Sequence, residues 1–213
     1  MVRFALEGLI EYVIASAEEE AAWLRENVEF VVLPFLDKDG VEAGDQGKNR
    51  RPRDHNRDYG PESLYPETAA VKALLAGTSE VPLAVALDLH CPWLLGGLNE
   101  RIYLVGSQDE AIWKEQQKFA ALLERARSGA LPFFAADSLP FGQDWNVAKN
   151  FEKGISFASW AGGIPGIHLA STIEIPYASA HGAEVNEASA RAFGADLARA
   201  LARYIRLQPD SGG

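Results

Sequence analysis

The sequence predicts an α/β fold with three layers built around a mixed central sheet. Segments with apolar residues at helical spacing alternate along the chain with short runs that are apolar throughout, as strands covered on both faces are. A length of 213 residues is enough for one core of this kind. Three polar clusters fall where apolar runs end, which is where sites gather in open α/β sheets.

The elements follow in order. Val2, Leu6, Leu9 and Val13 recur at helical spacing and predict a helix over about 2–16. Ala15-Ser16-Ala17 imitates a signal-peptide cleavage site, but Glu7 and Glu11 would then lie inside the apolar region such a signal needs. A second helix is predicted over 18–27. The run 28–36 (VEFVVLPFL) is predicted as a strand that stops at the turn pair Asp39-Gly40. Residues 37–63 are polar, basic and without periodicity, and so long a loop in a compact domain is functional or disordered. Pro66 opens a helix at a position where its missing N–H does little harm. The run 82–89 (PLAVALDL) reads as a strand buried on both faces, 101–105 as a shorter strand and 108–128 as a helix. Residues 129–165, rich in Gly, Pro and aromatics, read as irregular. The run 166–177 (GIHLASTIEIPY) returns to β character, and a last helix over about 185–206 carries Phe193, Leu197, Leu201 and Ile205 on one stripe. The expected organisation is one domain over 1–207 with a disordered tail at 208–213.

A net charge of −10 opposes nucleic acid and anionic membranes as partners. No stretch approaches the roughly 18 uninterrupted apolar residues of a membrane span. Cys91 is the one cysteine, so no internal disulfide and no cysteine-rich zinc ribbon can form. With Met1 as the true start, the lack of a signal peptide predicts a cytoplasmic protein.

Against the acidic total, Lys48, Arg50, Arg51, Arg53 and Arg57 crowd into ten positions, interleaved with Asp54, His55 and Asn56. A guanidinium grips a carboxylate through two parallel hydrogen bonds, so this loop suits a substrate carboxylate or an oxyanion. His90 closes an apolar strand. Neutral imidazole is the commonest zinc ligand and needs an outer acceptor for its second nitrogen. Asp88, two residues back on the same strand face, can supply one. A satisfied core histidine is the alternative for His90, and Cys91 points the other way as packing. Glu174 sits between Ile173 and Ile175 in a strand otherwise free of charge. A buried carboxylate holds its proton more tightly, which suits general acid–base work, and an unpaired one would be unstable there. His168 has the same parity but stands roughly 20 Å away along an extended strand, and His181 is assigned nothing.

Taken in order, these segments resemble the zinc carboxypeptidase family (carboxypeptidase A-like, including the cytosolic carboxypeptidase branch). Leu6-Glu7-Gly8-Leu9-Ile10 with Trp23-Leu24-Arg25 resembles the helix after the family's first zinc-binding motif. Val32-Leu33-Pro34 through Asp39-Gly40-Val41 resembles its strand ending in Pro-x-x-x-x-Asp-Gly-Val. Gly47-Lys48-Asn49-Arg50 and Asp54-His55-Asn56-Arg57 resemble its substrate-binding motifs. Leu87-Asp88-Leu89-His90 resembles the strand with the third zinc ligand, and Thr172-Ile173-Glu174 the strand with the catalytic glutamate.

The resemblance implies an N-terminally incomplete phosphorylase/hydrolase-like fold and a zinc metallocarboxypeptidase-type hydrolase, a metallopeptidase that removes a C-terminal amino acid or opens a related amide. By resemblance, His90 would ligate zinc, Glu174 would be general base and then proton donor, Arg50 would stabilise the oxyanion, and Asn56 and Arg57 would hold the substrate carboxylate. The family's other two ligands come from a His-x-x-Glu motif ahead of its first matching helix. Here no His precedes His55, so no His-x-x-Glu stands ahead of the first matching helix. The zinc site is therefore expected to be incomplete, since a catalytic one takes three protein ligands, and activity to be impaired. The family strand that delivers that motif lies inside the sheet, so an unpaired strand edge is expected as well. No Tyr occurs between Tyr103 and Tyr177 to serve as the mobile-loop tyrosine of digestive members; Trp145 and Trp160 are the aromatic candidates in that region. Two other readings remain: a deacylase or amidase like the aspartoacylase and succinylglutamate desuccinylase branch, and a non-catalytic carboxylate-binding protein.

Overall fold

The amphipathic periods become helices almost where they are read. In the computed structural model, which describes residues 1–45, 47–77 and 83–208, α1 spans Val2–Ala15 and α2 Glu19–Asn27. Short α3 (Lys38–Ala43) is followed by single 3-10 turns at Gly47–Asn49 and His55–Arg57, then by α4 (Pro66–Ala76) with Pro66 in its first turn. α5 (Glu110–Ala126) starts at Asp109, whose carboxylate accepts from the N–H groups of Ala111 and Ile112. Short α6 (Ala148–Phe151) and α7 (Phe157–Ala161) precede α8 (Glu187–Arg206), which opens on an Asn186/Ser189 capping box.

The central sheet is mixed, as expected, in the order β1-β3-β2. β1 (Val85–His90) runs parallel to β3 (Leu169–Glu174), and β2 (Tyr103–Val105) runs antiparallel to β3. Alternation sends successive side chains to opposite faces. Leu169, Ile173 and Ile175 enter a core with Leu9, Leu24, Phe119, Phe193 and Leu197 of α1, α2, α5 and α8. Ala86 and Ala170 face the other way, onto Ala161, Phe157 and Trp160 around α7. Tyr59 and α4's Val71 and Leu75 extend that second layer. Each fully buried Leu, Phe or Ile contributes about 1.5–3 kcal/mol.

Close helix contact depends on two glycines. A Cβ on Gly194 would stand 1.9 Å from the Ala5 carbonyl oxygen, and one on Gly8 would stand 2.1 Å from that of Arg191. The backbones of α1 and α8 therefore touch. A small hairpin, β4 (Ser179–Ala180) with β5 (Ala183–Glu184), is absent from the sequence reading. Its two loop residues, His181 and Gly182, both take positive φ (48° and 82°), the backbone that a two-residue hairpin requires.

Four expectations are corrected. The run 28–36 forms no strand; it takes no regular structure and bends at Pro34 and Leu36, because strand structure needs a neighbour to take its N–H and C=O groups. Asp39-Gly40 is not a turn that ends a strand but part of α3, nucleated by Asp37, whose carboxylate accepts from Gly40 N–H at 3.0 Å. Residues 129–165 are not wholly irregular, since α6 and α7 lie within them. β1 is only partly buried at Val85, Leu87 and Leu89, short of the doubly covered strand predicted, because it is an edge strand. Pro82, the first residue of that predicted strand, and 209–213 of the predicted tail lie outside the described residues. Among the described residues, no helix is long and apolar enough to cross a membrane.

Candidate functional site

The sheet register assembles the centre of the site. His90 pairs with Glu174 across β1 and β3, and Tyr103 pairs with Glu174 across β2 and β3. Directly opposed residues share a face, so the imidazole and the carboxyl expected to work together stand side by side. One step back, Asp88 pairs with Thr172 on the same face. Glu174 is 5% exposed.

Asp88 is the junction between sheet and basic loop. Its Oδ2 accepts from Asn56 Nδ2 at 3.0 Å and from Thr172 Oγ1 at 3.1 Å, and lies 3.6 Å from His90 Nδ1. Burial pushes the Asp88 carboxyl up, but His90, Thr172 and Asn56 outweigh it and hold it below the usual carboxylate range. Burial likewise pushes His90 down, yet the charge and hydrogen bond of Asp88, with Glu174 behind, bring it up to about 9. Asp88 thus stands on the same strand face as His90, 3.6 Å from its Nδ1.

The loop is held on both sides of Asn56. Asp54 accepts from the Asn56 backbone N–H at 2.9 Å, and Asn56 Oδ1 accepts from Phe157 N–H at 2.9 Å, which ties the loop to α7. One N–H of the Asn56 amide thus remains beyond its bond to Asp88. Arg57 donates to the Asn56 carbonyl at 2.6 Å, and its guanidinium lies 5.1 Å from the Phe151 ring centre. Burial pushes Arg57 below its ordinary value, opposed by Asp54, Glu174 and Asp88. Arg57 therefore sits in the field of the same carboxylates that surround His90.

Arg50 stands differently. Its Nη1 donates to Asp45 at 3.0 Å and its Nη2 to Asp37 at 3.1 Å, so two carboxylates already balance its charge. His55 is also structural: it stacks on Tyr65 with ring centres 3.8 Å apart, and its Nε2 lies 2.9 Å from Glu67. His181 lies 2.6 Å from Asp137 in the hairpin turn, away from this cluster.

Two residues that the sequence reading missed organise the site. Asp58, fully buried, accepts from the N–H groups of Leu64 and Tyr65 at 2.9 and 3.0 Å, from Thr68 Oγ1 at 2.5 Å, and from Arg53 at 3.3 Å. An acid inside an arginine run was the available signal. Tyr103 is the other: buried beside Glu174, its hydroxyl accepts from Trp145 Nε1 at 3.2 Å. Of the two candidate tryptophans, Trp145 lines the site cavity, while Trp160 packs with Tyr59 and Phe157. The cavity, of about 1970 Å³, is bounded by Arg57, His90, Glu174, Tyr103, Trp145 and Phe151, and runs on past β1 to 28–36.

Among the described residues, no three His, Cys, Asp or Glu side chains converge as metal ligands. His90 supplies one imidazole, whose Nδ1 already faces Asp88. The residues present do not by themselves fit a catalytic zinc.

No protein-family model and no curated protein matches this sequence. Solved structures do. A metallo-carboxypeptidase from Burkholderia cenocepacia is similar at a TM-score of 0.73 and 20% identity, over 96% of this chain and 53% of that one. A putative carboxypeptidase from Burkholderia mallei gives 0.74 and 20%, over 97% and 53%. A Pseudomonas aeruginosa metallo-carboxypeptidase, solved in complex with (2-guanidinoethylmercapto)succinic acid, gives 0.66 and 21%, over 96% and 53%. The chain spans about half the length of the solved structures it matches. With its mixed sheet packed between helices, this chain has the fold of the metallo-carboxypeptidases over about half of their length.

Proposed function

We propose that this chain forms the substrate-binding and acid–base half of a metallo-carboxypeptidase-like hydrolase site. The observation that carries the reading is the direct pairing of His90 with Glu174 at the strand ends, with Asn56 and Arg57 tied to the same cluster through Asp88. Arg57 and the free N–H of Asn56 would hold a substrate's terminal carboxylate, in a pocket walled by Tyr103, Trp145 and Phe151. Glu174 would take a proton from the attacking water and return it to the leaving amine. Arg50 would offer the developing oxyanion the N–H groups not committed to Asp37 and Asp45. His90 is the single ligand this chain would lend to a zinc ion, which needs further ligands from outside the described residues.

Two measurements test this. Calorimetric titration with (2-guanidinoethylmercapto)succinic acid is expected to give binding that Arg57→Gln weakens by roughly 10–100-fold, the value of a hydrogen bond to a charged group. Equal affinity in both proteins would remove Arg57 from the site. Hydrolysis of C-terminal peptides and of N-acyl amino acids by the 213-residue chain with added zinc is expected to be near background. Clear turnover lost in Glu174→Gln would overturn the impaired reading, and its substrate preference would separate peptidase from deacylase.

The absence of a three-ligand cluster among the described residues favours one second reading. In it the chain binds carboxylates without hydrolysing them, and both titration and assay would then come out as expected. Stoichiometric tight zinc in the purified chain would exclude it.

A further inference from the structure

The turn 142–146 is fixed by its own backbone. Gly142 N–H donates to the Asn146 carbonyl at 2.8 Å, and Asn146 N–H to the Gln143 carbonyl at 2.9 Å. The Asn146 side chain is fully buried and lines the cavity. Its Nδ2 donates to the carbonyls of Gly106 and Leu139 at 2.9 and 3.2 Å. A carboxamide has two N–H groups to give, so both are spent and the amide cannot be turned over. Its Oδ1 is left without a donor. Gln116 of α5 lines the same cavity and shows the contrast. Its Nε2 donates to the Val105 and Ala170 carbonyls at 3.1 and 2.7 Å, and its Oε1 accepts from Ser107 N–H at 2.8 Å.

Four residues beyond Asn146, Asn150 of α6 lines the cavity too, and its Nδ2 is buried without an acceptor. The two asparagines do not bond each other. One wall thus carries an unpaired acceptor and an unpaired donor, and leaving either buried in that state is costly. Both adjoin groups already placed at the reacting centre. Trp145, next to Asn146, donates to Tyr103, which pairs with Glu174. Phe151, next to Asn150, meets the Arg57 guanidinium. Gly106, which Asn146 holds, lies three residues past Tyr103, about 10 Å along an extended chain. Asn146 is therefore set back from Glu174 by roughly one substrate side chain and a hydrogen bond.

We propose that Asn146 and Asn150 select a substrate whose C-terminal residue carries a carboxamide, glutamine or asparagine. The ligand's NH2 group donates to Asn146 Oδ1, and its carbonyl accepts from Asn150 Nδ2. An apolar side chain leaves both atoms unpaired. A carboxylate sets a second acceptor against Asn146 Oδ1, and a guanidinium or ammonium has no acceptor for Asn150 Nδ2. Asp144 also lines the cavity, but it is exposed, and its Oδ1 accepts from Trp145 N–H at 2.7 Å. The selection rests on Arg57 as the carboxylate anchor and adds what the pocket beyond it takes.

The test is calorimetric titration of the 213-residue chain with N-acetylglycyl peptides ending in glutamine, methionine, glutamate or arginine. The glutamine peptide is expected to bind about 10–100-fold more tightly than the methionine peptide, which has nearly its shape. It is also expected to exceed the glutamate peptide, which keeps the acceptor and loses the donor, and the arginine peptide. Asn150→Leu is expected to remove most of the preference over methionine while the methionine peptide still binds. Equal affinity for glutamine and methionine, each still weakened by Arg57→Gln, overturns the selection and leaves the anchor standing. Affinities that Arg57→Gln does not change, or no binding of any peptide, overturn the anchor and the selection with it. Tightest binding of the glutamate or arginine peptide overturns the selection in favour of a charged residue. A glutamine preference undiminished in Asn150→Leu overturns the assignment to this pair.

Discussion

At the scale of single residues, the site is built by carboxylates as much as by cations. Asp58 is the clearest case: burial pushes its carboxyl up, but the Leu64 and Tyr65 N–H groups, the Thr68 hydroxyl and Arg53 bring it net below its ordinary value. It thus stabilises the fold above the ordinary carboxylate pKa, and the contribution is lost as pH falls through its own lowered value. Asp58→Ala strands several buried donors and is expected to cost about 2–4 kcal/mol in a urea unfolding curve. An unchanged midpoint would show that Asp58 does not hold the loop. The composition of the loop made its cluster of guanidinium groups legible, but not their division of labour. Arg50 is balanced by Asp37 and Asp45, Arg57 is drawn toward Glu174 and Asp88, and Arg53 serves Asp58. Which guanidinium meets which acid depends on a folded path through 3-10 turns that have no period to read.

At the scale of elements, the helices were legible because an apolar stripe is a local property. Phe193, Leu197 and Leu201 mark α8, and all three are buried. The contact between α1 and α8 was not legible, because nothing in either stripe says that the backbones touch. Glycine to alanine in a helix interior normally stabilises by up to about 1 kcal/mol. At Gly194 the sign should reverse, since the new Cβ meets the Ala5 carbonyl. Gly194→Ala is expected to destabilise by about 1–3 kcal/mol through overpacking, checked by thermal melting. A stabilised variant would mean that α1 and α8 can move apart freely.

At the scale of the whole molecule, acidic α2 is fastened to basic residues late in α8. Glu18 takes a two-point contact from Arg199 at 2.7 and 2.8 Å, Glu20 meets Arg203 at 2.9 Å, and Glu19 meets Arg206 at 2.9 Å. The Arg199 hydrogen bond, helped by Tyr12 against some burial, pulls Glu18 down to about 2, and Arg203 lowers Glu20. Both carboxyls are depressed on folding, so their stabilisation is present above an unfolded value of about 4.3 and disappears as pH drops toward 2. The melting temperature is therefore expected to fall between about pH 5 and pH 2, and less steeply in Glu18→Gln. Equal slopes would assign the acid sensitivity to other carboxylates. Salt should weaken the same exposed contacts.

The amino-acid sequence alone determined the alternation of helices with apolar runs, the acidic surface with its basic island, and the ordered appearance of Arg57, His90 and Glu174. These rest on short-range periodicity and on where polarity interrupts it. Tertiary structure decided the rest. Register between β1 and β3 put His90 beside Glu174 across 84 residues of chain, and burial made Asp58 a hub. The clearest division lies at 28–36, whose β-prone composition was read correctly and whose strand did not form. A helix closes its hydrogen bonds within itself, whereas a strand must find them on a neighbour.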